Sequence, residues 1–378
     1  MQKEFFGYDS LQNIQEILDE YNAEKIFLVT GKKAYTLSGA EKKIRHFLKN
    51  KTVTIFNDFS PNPHMDEVVK GIEQYKKSDP DMVIAVGGGS VLDIGKIINL
   101  LASNSDNPFD YIKRLKNPTT QGKPFVAIPT TSGTGSESTH FATVYVDKKK
   151  YSLADEKLLL PTVSIVDPSL TESMPRYLTA STGLDALCQG IESLWAVNST
   201  EESRSYAQEA VQIAINTIEK VVNNPDKTSR LDMAKAAHLS GKAINISKTT
   251  ACHSISYPIT SYFGVAHGHA VALTMPQIIE FNSNVSENDC NDKRGVRFVK
   301  ERLNEIINLM GCENTADVKN FIQTLMGKIG IELRLRRLNI DDDGRKLIVD
   351  KGFTPDRMDN NPRLVLKEDI QNMLDEIK

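Results

Sequence analysis

Four short apolar runs alternate with helical stretches through the first part of this chain, and that alternation limits the fold more than any other feature. The runs are Lys25–Gly31 (KIFLVTG), Thr52–Asp58 (TVTIFND), Asp81–Ser90 (DMVIAVGGGS) and Phe125–Glu137 (FVAIPTTSGTGSE). Each is rich in Val, Ile, Leu or Phe, too short for a helix, and closed by small or polar turn residues. Asp66–Ser78 (DEVVKGIEQYKKS) instead carries apolar residues at helical spacing. Strands separated by helices join as βαβ units, so the sheet is expected to be parallel, with ligands at the carboxyl ends of its strands.

After Asp167-Pro168 the texture changes. Helical patterns cover Thr182–Ala196, Glu202–Val222, Arg230–Ser247, Ala270–Phe281, Lys300–Met310 and Thr315–Ile329, and strand-like runs nearly stop. At 378 residues the chain is about twice a usual domain. The reading is an α/β domain with a parallel sheet over residues 1–168, then an all-α domain over 169–378. No Pro- or Gly-rich linker separates them, so close packing and a functional cleft between them are expected.

Two Gly-rich loops fall at strand ends. In AVGGGSVLDIGK (Ala85–Lys96), Gly87, Gly88, Gly89 and Ser90 lie between a strand and a helix. Glycines permit close backbone approach, and a helix N-terminus presents free N–H groups to a phosphate. PTTSGTGSE (Pro129–Glu137) adds Thr130, Thr131, Ser132 and Thr134 at a neighbouring strand end. Two such loops on one parallel sheet point to a dinucleotide. At the end of the Lys25–Gly31 run, an acidic residue would bond a ribose 2′-hydroxyl and repel a 2′-phosphate. The chain has Gly31, Lys32 and Lys33 there, which favours NADP(H) over NAD(H).

The helical half carries a second constellation. In LDALCQGIES (Leu184–Ser193), Asp185 and Gln189 are four residues apart and share one helix face. In TACHSISYPITSYFGVAH, His253 and His267 stand fourteen positions apart. A carboxylate, an amide oxygen and two imidazoles suit a divalent first-row ion, Fe, Zn or Mn.

The formal net charge of −3 gives no reason to expect nucleic acid or an anionic membrane as partner. No apolar run of about 18 residues is present, and the N-terminus shows no export signal, so a cytoplasmic protein is expected. Cys188, Cys252, Cys290 and Cys312 lack paired metal-type spacing and read as reduced thiols. Cys188 and Cys252 adjoin the ligand candidates, either as oxidisable groups or as small buried hydrophobes.

With these motifs assembled, the chain resembles the iron-containing alcohol dehydrogenase family, whose fold is shared with dehydroquinate synthase and glycerol dehydrogenase. The likeness runs almost end to end through PNPHMDEV, GGGSVLDIGK, IPTTSGTGSE, KLLLPTVSIVDPSLTESMP, GLDAL and the two-histidine stretch. It implies a Rossmann-like first domain, a nicotinamide cofactor with a divalent metal (Fe or Zn), and a homodimer or larger assembly. It also implies Asp93 with Gly87–Ser90 at the pyrophosphate, Thr130–Ser132 as second cofactor loop, and Asp185, Gln189, His253 and His267 as metal ligands.

Two positions depart from the family pattern. Gln189 stands where His is usual, and Tyr257 stands where many members carry another His. His269 is an additional imidazole, so Tyr257 and His269 are the candidates for proton delivery. Further details (SGTGSESTHFATVY, IESLWAVNSTEES and NNPRLVLKEDI) resemble the branch that reduces phosphonoacetaldehyde to 2-hydroxyethylphosphonate. A phosphonate needs nearby positive charge or N–H donors, and Lys242, Lys248 and His140 are the candidates. The alternatives are a general short-chain alcohol or lactaldehyde dehydrogenase, a dehydroquinate synthase-like lyase, and a non-catalytic binding protein.

Overall fold

The four apolar runs lie side by side in one sheet in the computed structural model, which describes residues 2–378. The chain divides into two compact units, Met1–Met174 and Pro175–Lys378. Strands of the first unit are β1 (Lys3–Phe6), β2 (Lys25–Thr30), β3 (Thr52–Phe56), β4 (Met82–Gly87), β5 (Phe125–Pro129), β6 (Phe141–Val146), β7 (Lys149–Ala154) and β8 (Val163–Val166). Six of them form a parallel sheet in the order β1-β8-β5-β4-β2-β3, while β6 and β7 make a separate antiparallel pair. Helices α1 (Ile14–Glu20), α2 (Ala34–Leu37), α3 (Ala40–Ile44), α4 (Met65–Ser78), α5 (Gly89–Ala102) and α6 (Pro108–Ile112) accompany the strands.

Both faces of the sheet are covered, which is why its central strands read as unbroken apolar runs. Phe27, Val29, Val83 and Ala85 pack with Val68 and Ile72 of α4 and Ile94 and Ile97 of α5. Ile26, Leu28, Met82 and Ile84 pack with Ile14 and Ile17 of α1 and Ile44 of α3. The strand order reverses at β2, which lies between β3 and β4. Open parallel sheets bind ligands outside the carboxyl ends of strands at such a switch point. Thr30 pairs in register with Val86, and Gly87 with Pro129, so Gly31 and the two Gly-rich loops start at one level.

The second unit holds α7 (Arg176–Trp195), α8 (Glu201–Asn223), α9 (Lys227–Ser247), α10 (Ala251–Phe263), α11 (His267–Ser283), α12 (Val296–Leu309), α13 (Thr315–Lys328), α14 (Asp342–Lys351), α15 (Pro355–Met358) and α16 (Lys367–Glu376). Every residue from Gly183 to Trp195 is buried, so α7 is the central helix, touching α8, α9 and α11. The helical pattern does not reveal α10. Its Ser, Thr, Ile and Tyr residues are weak helix formers and Pro258 lies inside it. Burial against α11, α14 and α15 overrides that local preference. Among the described residues, no helix is long and apolar enough to cross a membrane.

Candidate active site

In the first unit the structure brings the two Gly-rich loops into contact. A Cβ on Gly88 would stand 3.4 Å from the Thr131 side chain, and one on Gly89 would meet that of Thr134 at 2.9 Å. At Gly89 the bare backbone is what lets the second loop approach this closely, since a side chain there would press on Thr134. Thr130 N–H donates to Gly87 O at 3.0 Å. Gly88, the N-cap of α5, supplies no side-chain cap, and Val91 N–H donates to its carbonyl at 2.9 Å, so no capping side chain competes with an anion at the head of the helix. Ser90 Oγ accepts from Asn62 N–H at 3.3 Å, and Ser132 is buried at the second loop.

Asp93 occupies a bracing position. Its Oδ1 accepts from Ser136 Oγ (2.7 Å), and its Oδ2 from Thr143 N–H (3.0 Å) and Oγ1 (2.8 Å). Both oxygens are engaged within the protein, so Asp93 ties the start of α5 to the Ser136 and Thr143 segments. Lys96, one turn further along α5, was not singled out by the motifs. Its buried Nζ donates to Ser136 O (2.5 Å), Thr139 O (2.8 Å) and Phe141 O (3.0 Å). Burial lowers its pKa to about 8 against the pull of Asp93 and Glu137. A lysine in an otherwise apolar helix was the signal for it. At the end of β2, Lys32 Nζ lies 3.2 Å from Asp58 Oδ1, so the ammonium beside Gly31 already faces a carboxylate.

In the second unit, donor atoms of Asp185, His253 and His267 lie within 4.8 Å of one another. His253 Nε2 stands 3.5 Å, and His267 Nε2 3.9 Å, from Asp185 Oδ1. Ligands about 2.1 Å from a tetrahedral ion stand about 3.4 Å apart, so the spacing fits a first-row metal. His253 Nε2 is buried with no hydrogen-bond partner among the described residues. Burial disfavours a charged His253 ring, yet Glu192 and Asp185 outweigh it and raise the pKa to about 10. The pocket is therefore electrically suited to a cation.

Gln189 is buried on the same face of α7 as Asp185. Ser240 Oγ lies within hydrogen-bond reach of both Gln189 Oε1 (3.0 Å) and Ala237 O (2.9 Å). One hydroxyl proton serves one of these oxygens, and an amide oxygen has a second lone pair for a cation.

Glu192, three residues past Gln189, organises this centre. It is wholly buried. Its Oε1 accepts from Thr250 Oγ1 (2.6 Å), Thr250 N–H (3.1 Å) and Cys252 N–H (3.0 Å), while Oε2 bonds His253 Nδ1. A carboxylate on Nδ1 holds that proton in place and presents Nε2 as the ligand atom. The spacing of Asp185, Gln189 and Glu192, all on one face of α7, was the sequence signal for it.

Both ring nitrogens of His269 are engaged within the protein. Tyr177 Oη lies 3.0 Å from its Nδ1, and Nε2 lies 2.7 Å from Glu332 O, so Nε2 donates to the carbonyl and Nδ1 accepts from the phenol. Burial lowers its pKa and keeps the ring neutral. Tyr257 is placed differently. It follows His253 by one turn of α10, and its ring lies 20° from parallel with that of His267, centroids 6.3 Å apart.

The lysine candidates stand apart from the triad's ring contacts. Lys242 Nζ lies over the Tyr206 ring, 5.0 Å from its centroid. Lys248 is exposed at the end of α9 with φ 61° and ψ 177°, a region that costs a non-glycine residue about 1–3 kcal/mol. Its backbone turns the chain toward Thr250. His140 is buried in the first unit. Cys188 and Cys252 are buried, and burial pushes both thiols well above their usual range, as expected of inert packing groups.

Residues 2–168 match the iron-containing alcohol dehydrogenase family, and residues 179–377 match the C-terminal domain of the Fe-containing alcohol dehydrogenase family. A phosphonoacetaldehyde reductase of Streptomyces viridochromogenes is 33% identical over 323 residues, covering 82% of this chain and 80% of that protein. The NADPH-dependent butanol dehydrogenase of Clostridium saccharobutylicum is 30% identical over 384 residues, covering 98% and 95%. Among solved structures, sulfoacetaldehyde reductase from Bifidobacterium kashiwanohense in complex with NAD+ superposes with a TM-score of 0.88 at 28% identity, over 100% of this chain and 96% of that one. The chain belongs to the iron-containing alcohol dehydrogenase family.

Proposed function

We propose that this NAD(P)-dependent oxidoreductase reduces phosphonoacetaldehyde to 2-hydroxyethylphosphonate. The observation that carries the site assignment is the triad of buried Asp185, buried His253 and partly exposed His267, with Glu192 behind it. Asp185, His253, His267 and Gln189 would hold a divalent ion, Fe or Zn by donor type. The groups bound here would supply Lewis-acid polarisation of a carbonyl and hydride transfer. Glu192 fixes the tautomer of His253. The backbone of Gly87–Ser90 and the hydroxyls of Thr130, Thr131, Ser132 and Thr134 would cradle the pyrophosphate. Tyr257 is the candidate to deliver a proton to the alkoxide oxygen.

The substrate reading draws support from the two named reductases, whose substrates are both acetaldehydes bearing a strongly acidic oxyanion group. A cytoplasmic setting is proposed with the four cysteines as free thiols, and family likeness supports a homodimer or larger assembly. NADPH oxidation by purified protein tests the activity, with Fe²⁺, Zn²⁺ or Mn²⁺ supplied in turn. Phosphonoacetaldehyde should react at least about tenfold faster than propanal or lactaldehyde, one extra charged contact being worth that much. Equal rates would make this a general short-chain aldehyde reductase.

Two substitutions probe the site. His267→Ala is expected to lower bound metal and turnover together, each at least about tenfold. Undiminished activity of that variant under chelation would remove the metal from the mechanism. Preference for NADP(H) is proposed from Gly31, Lys32 and Lys33, where no carboxylate side chain follows β2 directly. Lys32→Glu should shift the NADPH to NADH ratio of kcat/KM toward NADH by about tenfold. Because Lys32 already pairs with Asp58, an unchanged ratio would mean that it does not read the 2′-phosphate.

A further inference from the structure

We infer that Arg357 receives the anionic headgroup of the aldehyde, a phosphonate or sulfonate oxyanion, next to the metal-ligand triad. The inference rests on the aldehyde-reductase reading above. Arg357 lies on α15, which packs on α10, the helix that carries His253 and Tyr257. Its Nε donates to Tyr257 Oη at 3.4 Å. The Tyr257 ring in turn lies along the ring of His267. One tyrosine therefore separates the guanidinium from a ligand of the proposed ion.

Several arginines of this unit are matched by a carboxylate at ion-pair distance. Arg294 pairs with Asp292, Arg345 with Asp342 and Asp375, and Arg363 with Asp289. Among the described residues, no carboxylate forms an ion pair with Arg357, and its bond to Tyr257 engages Nε alone. Burial disfavours its charge, but Tyr257 and Glu192 outweigh that and keep it cationic. Glu192 and Asp356 act on this half-buried guanidinium without reaching ion-pair distance, which leaves its two terminal nitrogens able to take an oxyanion.

The chemistry of the gap matches the substrate class. A guanidinium is a planar fork that binds a tetrahedral oxyanion through two parallel N–H bonds, and partial desolvation strengthens them. Only one methylene separates the carbonyl carbon of phosphonoacetaldehyde from its phosphorus, so headgroup and carbonyl must be held close together. Lys242 and Lys248 meet this need less well, one lying over Tyr206 and the other exposed at a helix end.

The test uses the full chain loaded with metal and cofactor, as wild type, Arg357→Met and Arg357→Lys. Values of kcat/KM are compared for phosphonoacetaldehyde, sulfoacetaldehyde and propanal, and ethylphosphonate is assayed as a competitive inhibitor of propanal reduction. Arg357→Met should lower the phosphonoacetaldehyde to propanal ratio at least about 30-fold, chiefly through KM, and weaken ethylphosphonate at least about tenfold. Arg357→Lys, a point charge without the fork, should recover part of both. The anionic aldehyde that wild type prefers identifies the headgroup. An unchanged ratio and inhibition constant, or an equal fall on all three aldehydes, would overturn the inference. If wild type shows no preference for phosphonoacetaldehyde yet binds ethylphosphonate through Arg357, the substrate reading fails and the role of Arg357 stands.

Discussion

Glu192→Gln is expected to fold almost as well as the wild type and to bind metal at least about tenfold to a hundredfold more weakly. Glutamine has the shape of glutamate, and its carbonyl oxygen can still accept from Thr250 Oγ1, Thr250 N–H and Cys252 N–H, as Oε1 does now. Its NH₂ group then meets His253 Nδ1, where the carboxylate now sits. A donor at Nδ1 moves the ring proton to Nε2, and a protonated nitrogen cannot ligate a metal. Glu192→Ala should do more damage. It leaves the His253 ring and two backbone N–H groups buried without an acceptor, at a cost of about 3–5 kcal/mol. Metal content after dialysis and the denaturant midpoint of the helical unit distinguish the two variants. Full metal occupancy in Glu192→Gln would show that the carboxylate does not set the tautomer.

Gly268→Ala should abolish most activity through the backbone alone. A Cβ on Gly268 would stand 2.0 Å from Ser181 O, 2.7 Å from Asp185 Cβ and 2.9 Å from Asp185 N. Two of these atoms are backbone of α7 itself, so no rotamer change relieves the clash and α11 must move away. Gly268 follows His267 directly, and the His269 N–H donates to Ser181 Oγ at 3.2 Å in the same joint. A shift of about 1 Å here carries His267 away from Asp185, and displacement on that scale costs about a hundredfold in rate. Overpacking should also cost about 1–3 kcal/mol of stability. Measuring kcat with excess metal checks this, because added ion cannot restore a misplaced ligand. Recovery of wild-type turnover under those conditions would mean that the α7–α11 joint has slack.

Both predictions concern how ligands are held, and that is where the sequence was hardest to read. Asp185 and Gln189 were legible as a pair because i and i+4 on a helix share a face wherever the helix goes. Glu192 lies on that same face, but its partners Thr250, Cys252 and His253 are about sixty residues away, and no local spacing announces them. His267 and His269 are two residues apart on α11 and so point to roughly opposite sides, at about 100° per residue. Helix periodicity does not distinguish which imidazole meets Asp185, and it was the family resemblance that singled out His267. Packing of α11 on α7 decides it, turning His269 to Tyr177 and Glu332.

By itself the sequence determined the parallel α/β unit with its paired glycine loops, the helical unit that follows, and the types of side chain able to hold a cation. Apolar periodicity, turn residues and helix-face spacing act within a few residues, so they can be read before folding is known. Only the tertiary structure decided that α10 is a helix, that Asp93 and Lys96 brace the loops, that His269 bonds Tyr177 and Glu332, and that Arg357 meets Tyr257. Each of these depends on burial or on partners that are distant in the chain, with Arg357 and Tyr257 a hundred residues apart. Such contacts form through the packing of whole helices, and no local pattern carries them.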